Sequence, residues 1–303
     1  MADSATIKAR LGNIRTVEPI LGALRTISLG SWRAALNQQQ ALREYVSRLE
    51  DVLFLVVPHL NLQRHGMLSG VLRRKAQELP PTGRAIVLAV GSDRGLCGRF
   101  NAAVVEHTER YLAEEAGAGV ETELMVLGSR VLHGLERRGH EFTWSASMPT
   151  TKLPSLSVAS DLMHRWLERY EAGEFDAVTV IYNAYRGVGH YESTVVRVLP
   201  PAVSAVGRQH SEGQLFRALE TVVETDPLAL YTRLVEQVSV MALYALLLDS
   251  AAAEHATRYQ LMEGAKQNAG RLIEDLTSEL QAMRRQAITQ EMQELAAGAG
   301  LVR

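Results

Sequence analysis

The feature that most constrains this chain is a heptad seam of unusual length near its C-terminal end. From about Asp226 to about Ala297 the seam residues return in alternating steps of four and three. They are Leu234, Val238, Met241, Ala245, Leu248, Ala252, His255, Tyr259, Met262, Lys266, Ala269, Ile273, Leu276, Leu280, Met283 and Ala287. A 3.5-residue repeat is the signature of a left-handed coiled coil. About 70 helical residues make a rod of roughly 105 Å, longer than a compact domain of this size is wide. The rod is therefore expected to project and to need a partner for its seam.

The first segment supplies that partner. Between Ala5 and Val57, Leu42, Tyr45, Leu49, Val52 and Val56 step three and four, as do Ile7, Leu11 and Ile14. Pro58 is expected to stop the helix. Pro19 is expected to kink or locally break it, and Gly22 and Gly30 weaken the same stretch.

The middle of the chain has a different texture. A polar, basic linker with Arg73, Arg74 and Lys75 precedes Arg84. Short apolar runs at Ala85–Val90, Glu121–Leu127, Glu141–Trp144, Asp176–Tyr182 and Thr194–Leu199 read as strands. Helical periods fall at Asn101–Glu115, Ser129–Arg138 and Ser157–Tyr170, the last with Ser157 or Ser160 as N-cap. Alternation of this kind predicts a mainly parallel sheet covered by helices. The last two strands lie close enough for an antiparallel hairpin across Arg186-Gly187-Val188-Gly189. Asp226-Pro227 is a good helix start, with Asp as cap and Pro at the first position.

The expected fold is thus α/β plus a long coiled coil. Antiparallel N- and C-terminal helices form a rod with an inserted Rossmann-like α/β domain beside it. The expected segments are 1–60 for the first coil helix, 61–83 for a linker, 84–225 for the α/β insertion and 226–303 for the second coil helix.

Composition excludes several function classes. A net charge of −2 over 303 residues argues against a broad nucleic-acid surface. The single cysteine, Cys97, forbids an intrachain disulfide. The N-terminus has no apolar signal core. The most apolar run, Val240–Ala253, contains Asp249 and is too short and charged to span a bilayer, so direct membrane insertion is not expected.

The sharpest local sequence is Gly91-Ser92-Asp93-Arg94-Gly95-Leu96-Cys97-Gly98-Arg99-Phe100-Asn101, between a strand and a helix. Phosphate-binding loops occupy such places. This one lacks Gly-x-Gly-x-x-Gly, and the chain has no Gly-Lys-Ser or Gly-Lys-Thr. A rigid turn presenting Arg94 and Arg99 to a protein partner fits better. Cys97 with His107 makes no distinctive nucleophile pair, and a structural thiol is expected. The histidines, among them His133, His140, His164 and His190, lack metal-ligand spacing. His255 and Lys266 on the seam are expected to fix register. No catalytic residue, cofactor or metal site is expected.

Three blocks together resemble the gamma subunit of F-type ATP synthases, the central rotor stalk. They are Ile7-Lys8-Ala9-Arg10 through Arg33-Ala34-Ala35; Ser92-Asp93-Arg94-Gly95-Leu96-Cys97-Gly98 with Phe100-Asn101; and Asp249-Ser250, Ala253-Glu254-His255-Ala256, Arg258, Asn268 and Ile288-Thr289-Gln290-Glu291 with a Gly298-Ala299 tail. The resemblance implies a non-catalytic subunit whose coil turns inside the ring of alpha and beta subunits, with its α/β part at the foot near the membrane rotor ring and the epsilon subunit. It implies ring contacts at Arg25, Arg33, Arg94, Arg284, Arg285, Thr289, Gln290 and Glu291. It implies an intrachain coil seam through Leu42, Tyr45, Leu49, Val238, Met241, Ala245, Leu248, Ala252, His255 and Tyr259, and no homo-oligomer. A peripheral place on the cytoplasmic face of a bacterial inner membrane follows from the same resemblance. The sequence departs from the family's pattern at Pro19, Gly22, Leu24 and Arg285, which fits a divergent second copy of the synthase. Two readings from other classes compete: a small-molecule-binding Rossmann-like enzyme, which predicts a thermal shift with nucleotides, and a coiled-coil adaptor, which predicts a stable homodimer.

Overall fold

The structure is a computed structural model and describes residues 2–60, 83–148, 153–200 and 222–298. The basic linker, most of the loop before Pro154, most of the return segment after Pro200 and the residues from Ala299 onward lie outside the described residues. In chain order the elements are α1 (Ala2–Val56), a 3-10 turn (Val57–His59), β1 (Arg84–Val90), α2 (Phe100–Gly117), β2 (Glu121–Leu127), α3 (Ser129–Glu136), β3 (Trp144–Ala146), α4 (Leu156–Glu171), β4 (Ala177–Gly187), β5 (His190–Leu199) and α5 (Pro227–Gly298).

The helix ends follow local chemistry. Pro58 sits in the 3-10 turn that closes α1. Asp226 caps α5, its carboxylate accepting from Leu228 N at 3.3 Å and Ala229 N at 3.2 Å. Pro19, by contrast, lies inside an unbroken α1 and is exposed on its surface. α1 runs on without the expected local break, and the exposed proline disturbs no packed face. The cap of α4 is Ser155, before the expected Ser157 and Ser160, and its side chain makes no capping bond.

The sheet order is β3-β2-β1-β4-β5. The pairs β3–β2, β2–β1 and β1–β4 are parallel, and β4–β5 is the expected antiparallel hairpin. β3 falls at Trp144–Ala146 rather than Glu141–Trp144, and β5 begins at His190, ahead of the expected Thr194. Polar residues at the start of β5, such as His190 and Glu192, lie on a half-exposed edge and carry no apolar signal.

The strand period places alternate residues on two faces. Val87, Ala89, Val126 and Ile181 pack against Val104 and Val105 of α2 and Val131 and Leu135 of α3. Ile86, Leu88, Val180 and Tyr182 pack on the other face against α4, through Met163 and Trp166, and against α5, through Val240, Leu243, Leu247 and Leu248. α5 is therefore itself one of the covering helices of the sheet, not merely a rod beside an insertion.

Backbone contacts divide the chain into two compact units, Met1–Ser28 with Arg258–Arg303, and Leu29–Thr257. In the first unit α1 and α5 are antiparallel: Leu11 packs with Leu276 and Leu280, flanked by Ile7, Ile14 and Ile273. In the second they are antiparallel as well, with Leu53 and Val56 against Tyr231, Leu234 and Val235. On α1 the buried line runs Leu42, Val46, Leu49, Leu53 and Val56. Tyr45, expected on this seam, is 45% exposed and Val52 is 41% exposed. Both phases share Leu42, Leu49 and Val56; the intervening contacts fall one residue later, on the branched side chains Val46 and Leu53.

Candidate partner-contact surfaces

The loop after β1 is built around two close backbone approaches. A Cβ on Gly91 would lie 2.1 Å from Val131 Cγ2, and one on Gly128, at φ +109°, would lie 2.5 Å from Gly91 O. Only glycine lets these two turns meet. Asn101 then fills the loop: its Oδ1 accepts from Ser92 N at 2.9 Å, and its Nδ2 donates to Ser92 Oγ at 2.9 Å and to Cys97 Sγ at 3.4 Å. Asp93 Oδ1 accepts from both Ser129 N at 2.7 Å and Ser129 Oγ at 2.9 Å, so the loop caps α3. These amides meet the chain's own side chains rather than forming an open phosphate cradle.

Cys97 is 1% exposed and packs with Phe100 and Ala253 of α5. His107 is engaged elsewhere, with Nδ1 2.8 Å from Ser193 Oγ. Burial, reinforced by Arg110, holds His107 below the ordinary histidine range. The loop is thus pinned to α5 at the Ala253-Glu254-His255-Ala256 block, while Arg94 and Arg99 lie on its exposed side. Arg99 pairs with Glu106 at 3.0 Å.

A second anchor was not anticipated as such. Asp249, the single charge in the apolar run Val240–Ala253, accepts from Gln39 Nε2 at 3.0 Å and from Tyr185 N at 3.2 Å. One carboxylate thus joins α1, α5 and β4. Burial first, and then the Asp249 charge, pushes Tyr182 up to about 12. A lone carboxylate in an apolar run must find donors, and that was the available signal. α5 is long and apolar enough to cross a bilayer by length and composition, but 61% of its most apolar window is buried within the fold. Met241, Leu248, Ala252 and His255 of the expected seam are buried here, and Leu49, Val238 and Ala245 are half-buried.

In the first unit the seam turns polar. Arg25 Nε pairs with Glu263 Oε2, and the guanidinium lies 5.4 Å from the Tyr259 ring centroid. Lys266 Nζ is 3.6 Å from Glu18 Oε1, and the space left by Gly22 accommodates the lysine, 3.7 Å from where a Cβ would stand. Arg25 is therefore engaged by its own chain. Arg33, in the second unit, is exposed.

The covered seam of α5 ends at Met283, and residues 284–295 are all exposed. Arg284, Arg285, Gln290 and Glu291 ring this stretch, and Thr289 Oγ1 donates to Arg285 O at 2.9 Å. Ile288, Met292 and Leu295, at helical spacing, are 57%, 65% and 72% exposed. The sequence reading assigned contacts to the polar members of this surface and not to its apolar line, which lies one residue off the heptad seam through Met283 and Ala287.

The ATP synthase family model matches residues 4–301. The chain is 30% identical over 298 residues to the ATP synthase gamma chain of Geobacter sp. (strain M21), covering 98% of each chain. It is 27% identical over 298 residues to that of Geotalea uraniireducens, again covering 98% of each. Among solved structures it is similar to a chain of the Euglena gracilis mitochondrial ATP synthase, with a TM-score of 0.61 at 15% identity over 99% of this chain and 94% of the other. It is also similar to a chain of the Tetrahymena thermophila mitochondrial ATP synthase central stalk and c-ring, with a TM-score of 0.54 at 21% identity over 81% and 99%. The chain belongs to the ATP synthase gamma-chain family, the central stalk of the F-type complex.

Proposed function

We propose that this chain is the rotating shaft that couples ion flow through a membrane ring to ATP synthesis or hydrolysis in a surrounding head of alpha and beta subunits. The observation that carries this reading is the change along α5: a covered seam up to Met283, then a fully exposed stretch with an apolar line and a dense set of hydrogen-bonding side chains. Such a surface is suited to partners arranged around it. Rotation changes which partner group each side chain meets, and only differential contacts shift conformational populations.

Arg284, Arg285, Thr289, Gln290 and Glu291 are assigned to contacts with the head. Arg33 and Arg94 are assigned to contacts with neighbouring subunits. Arg25 acts chiefly as an intrachain tie, since its guanidinium already meets Glu263 and Tyr259. The epsilon subunit and the membrane ring are assigned to the α/β part, on the cytoplasmic face of a bacterial inner membrane. The functional division is 1–60 and 226–303 for the shaft, 61–83 for the linker and 84–225 for the foot. The chemistry of ATP belongs to the other subunits in this reading.

Co-purification with tagged alpha and beta subunits tests it. A stoichiometric complex with ATPase activity is expected; its absence would sink the proposal. A thermal shift of the isolated chain with nucleotides, or a stable homodimer by light scattering, would favour the enzyme or the adaptor instead.

A further inference from the structure

α1, α5 and β4 leave a cavity of about 550 Å³ between them. Small-molecule sites occupy roughly 300–1,000 Å³. Its walls are largely apolar, made by Leu42 and Val46 of α1 and by Met241, Ala245 and Leu246 of α5. Such walls give water no hydrogen bonds and favour an apolar occupant.

The polar lining is graded by depth. Gln39 of α1 and Tyr182 of β4 are buried, at 8% and 6% exposure, Asp249 of α5 is half-buried, and Arg43 and Ser47 are exposed at the rim. Asp249 accepts from Gln39 Nε2 at 3.0 Å and from Tyr185 N at 3.2 Å. Both donors are neutral, so they satisfy lone pairs without cancelling the charge. A carboxylate offers about four acceptor directions, which leaves room for a further donor. The Arg186 guanidinium is directed to Glu192, at 2.9 Å. Glu50 adds a second carboxylate to the lining, against the single guanidinium of Arg43. The cavity thus combines apolar walls with an excess of negative charge, and a carboxylate screened by apolar groups attracts a cation more strongly than one in open water.

We propose that this cavity is a binding site for a small organic ammonium ion, whose charged head donates to Asp249 and whose apolar body lies between Leu42, Val46, Met241 and Leu246. A primary amine carrying an aryl or short alkyl group has that form. Gln39, Tyr182 and Asp249 belong to α1, β4 and α5, so an occupant touches all three elements and stabilises their packing by mass action.

Calorimetric titration of the full-length chain at low salt tests the site with three probes of one shape: phenylbutylamine, phenylbutanol and phenylbutyrate. The amine is expected to bind at one site about tenfold more tightly than the alcohol, with the acid weaker still. Hydrogen exchange should show the amine protecting peptides that cover 38–50 and 240–250. Asp249→Asn keeps the side chain's shape and should abolish the preference for amine over alcohol. No binding of the amine, equal affinity for amine and alcohol, tighter binding of the acid, or protection confined to other peptides overturns the proposal. These four outcomes are read on the wild type and decide the matter even if Asp249→Asn does not fold. A folded Asp249→Asn that keeps the full preference overturns it as well.

Discussion

The helix α5 contains both a stretch with every residue buried and a stretch with every residue exposed. From Ser250 to Thr257 each residue is buried. From Arg284 to Leu295 each is exposed, with Ile288, Met292 and Leu295 among them. A helix buried on all sides belongs to a core, whereas an exposed apolar line marks an interaction surface. The difference teaches that continuity of secondary structure does not imply continuity of role. The inner stretch serves the fold, and the outer stretch is the one we assign to partners.

The sharpest way to break this contrast is to remove matched side chains from the buried part of α5 and from its exposed end. Leu247 is 0% exposed in the sheet core. Leu247→Ala is expected to cost about 2–5 kcal/mol of stability, measured by denaturant unfolding of the full chain. A loss below about 1 kcal/mol would show that α5 does not anchor the sheet.

The Asp249 tie comes next in size. Asp249→Ala leaves Gln39 Nε2 and Tyr185 N without their acceptor, and about 1–3 kcal/mol should be lost. Asp249→Asn should lower the Tyr182 titration from about 12, readable by ultraviolet absorbance. Because the fold raises Tyr182 above its ordinary 10.0, its contribution is complete below 10.0 and is lost as pH climbs toward about 12. Wild type should therefore destabilise in that alkaline window more steeply than the Tyr182→Phe variant.

A smaller effect is expected at Arg25 and Glu263, whose side chains are 33% and 32% exposed. A double-mutant cycle should give a small favourable coupling that shrinks at high salt. A zero coupling at low salt would return Arg25 to the set of partner-facing residues. Smallest of all, Ile288→Ala should change the stability of the isolated chain by less than about 0.5 kcal/mol. A larger loss would mean that the outer stretch is packed within its own chain.

Much of this was legible in the residues because strong periods survive where one face is buried. The parallel strands β1 and β2 and the hairpin β4–β5 stood out as apolar runs separated by glycine turns. The seam from Met262 to Leu280 was legible because only one face of α5 is covered there. Between Val240 and Thr257 burial on several sides blurs the period, so the role of α5 as a sheet cover was hidden. Tyr45 misled because an aromatic at heptad spacing resembles a core residue, while Val46 holds the inward position. The contacts of Asp249 and Asp93 depend on residues distant in sequence, and no local pattern encodes them. The distal surface was visible only as an assembly of residue types, since residues 284–295 are all exposed and leave no packing pattern within this chain.

The most direct test of the shaft account replaces Arg284, Thr289 and Glu291 together by alanine and measures ATP-driven rotation and ion pumping in the assembled complex. The account predicts an isolated chain of unchanged stability whose complex hydrolyses ATP with impaired rotation and pumping. Rotation and pumping at wild-type levels would contradict it.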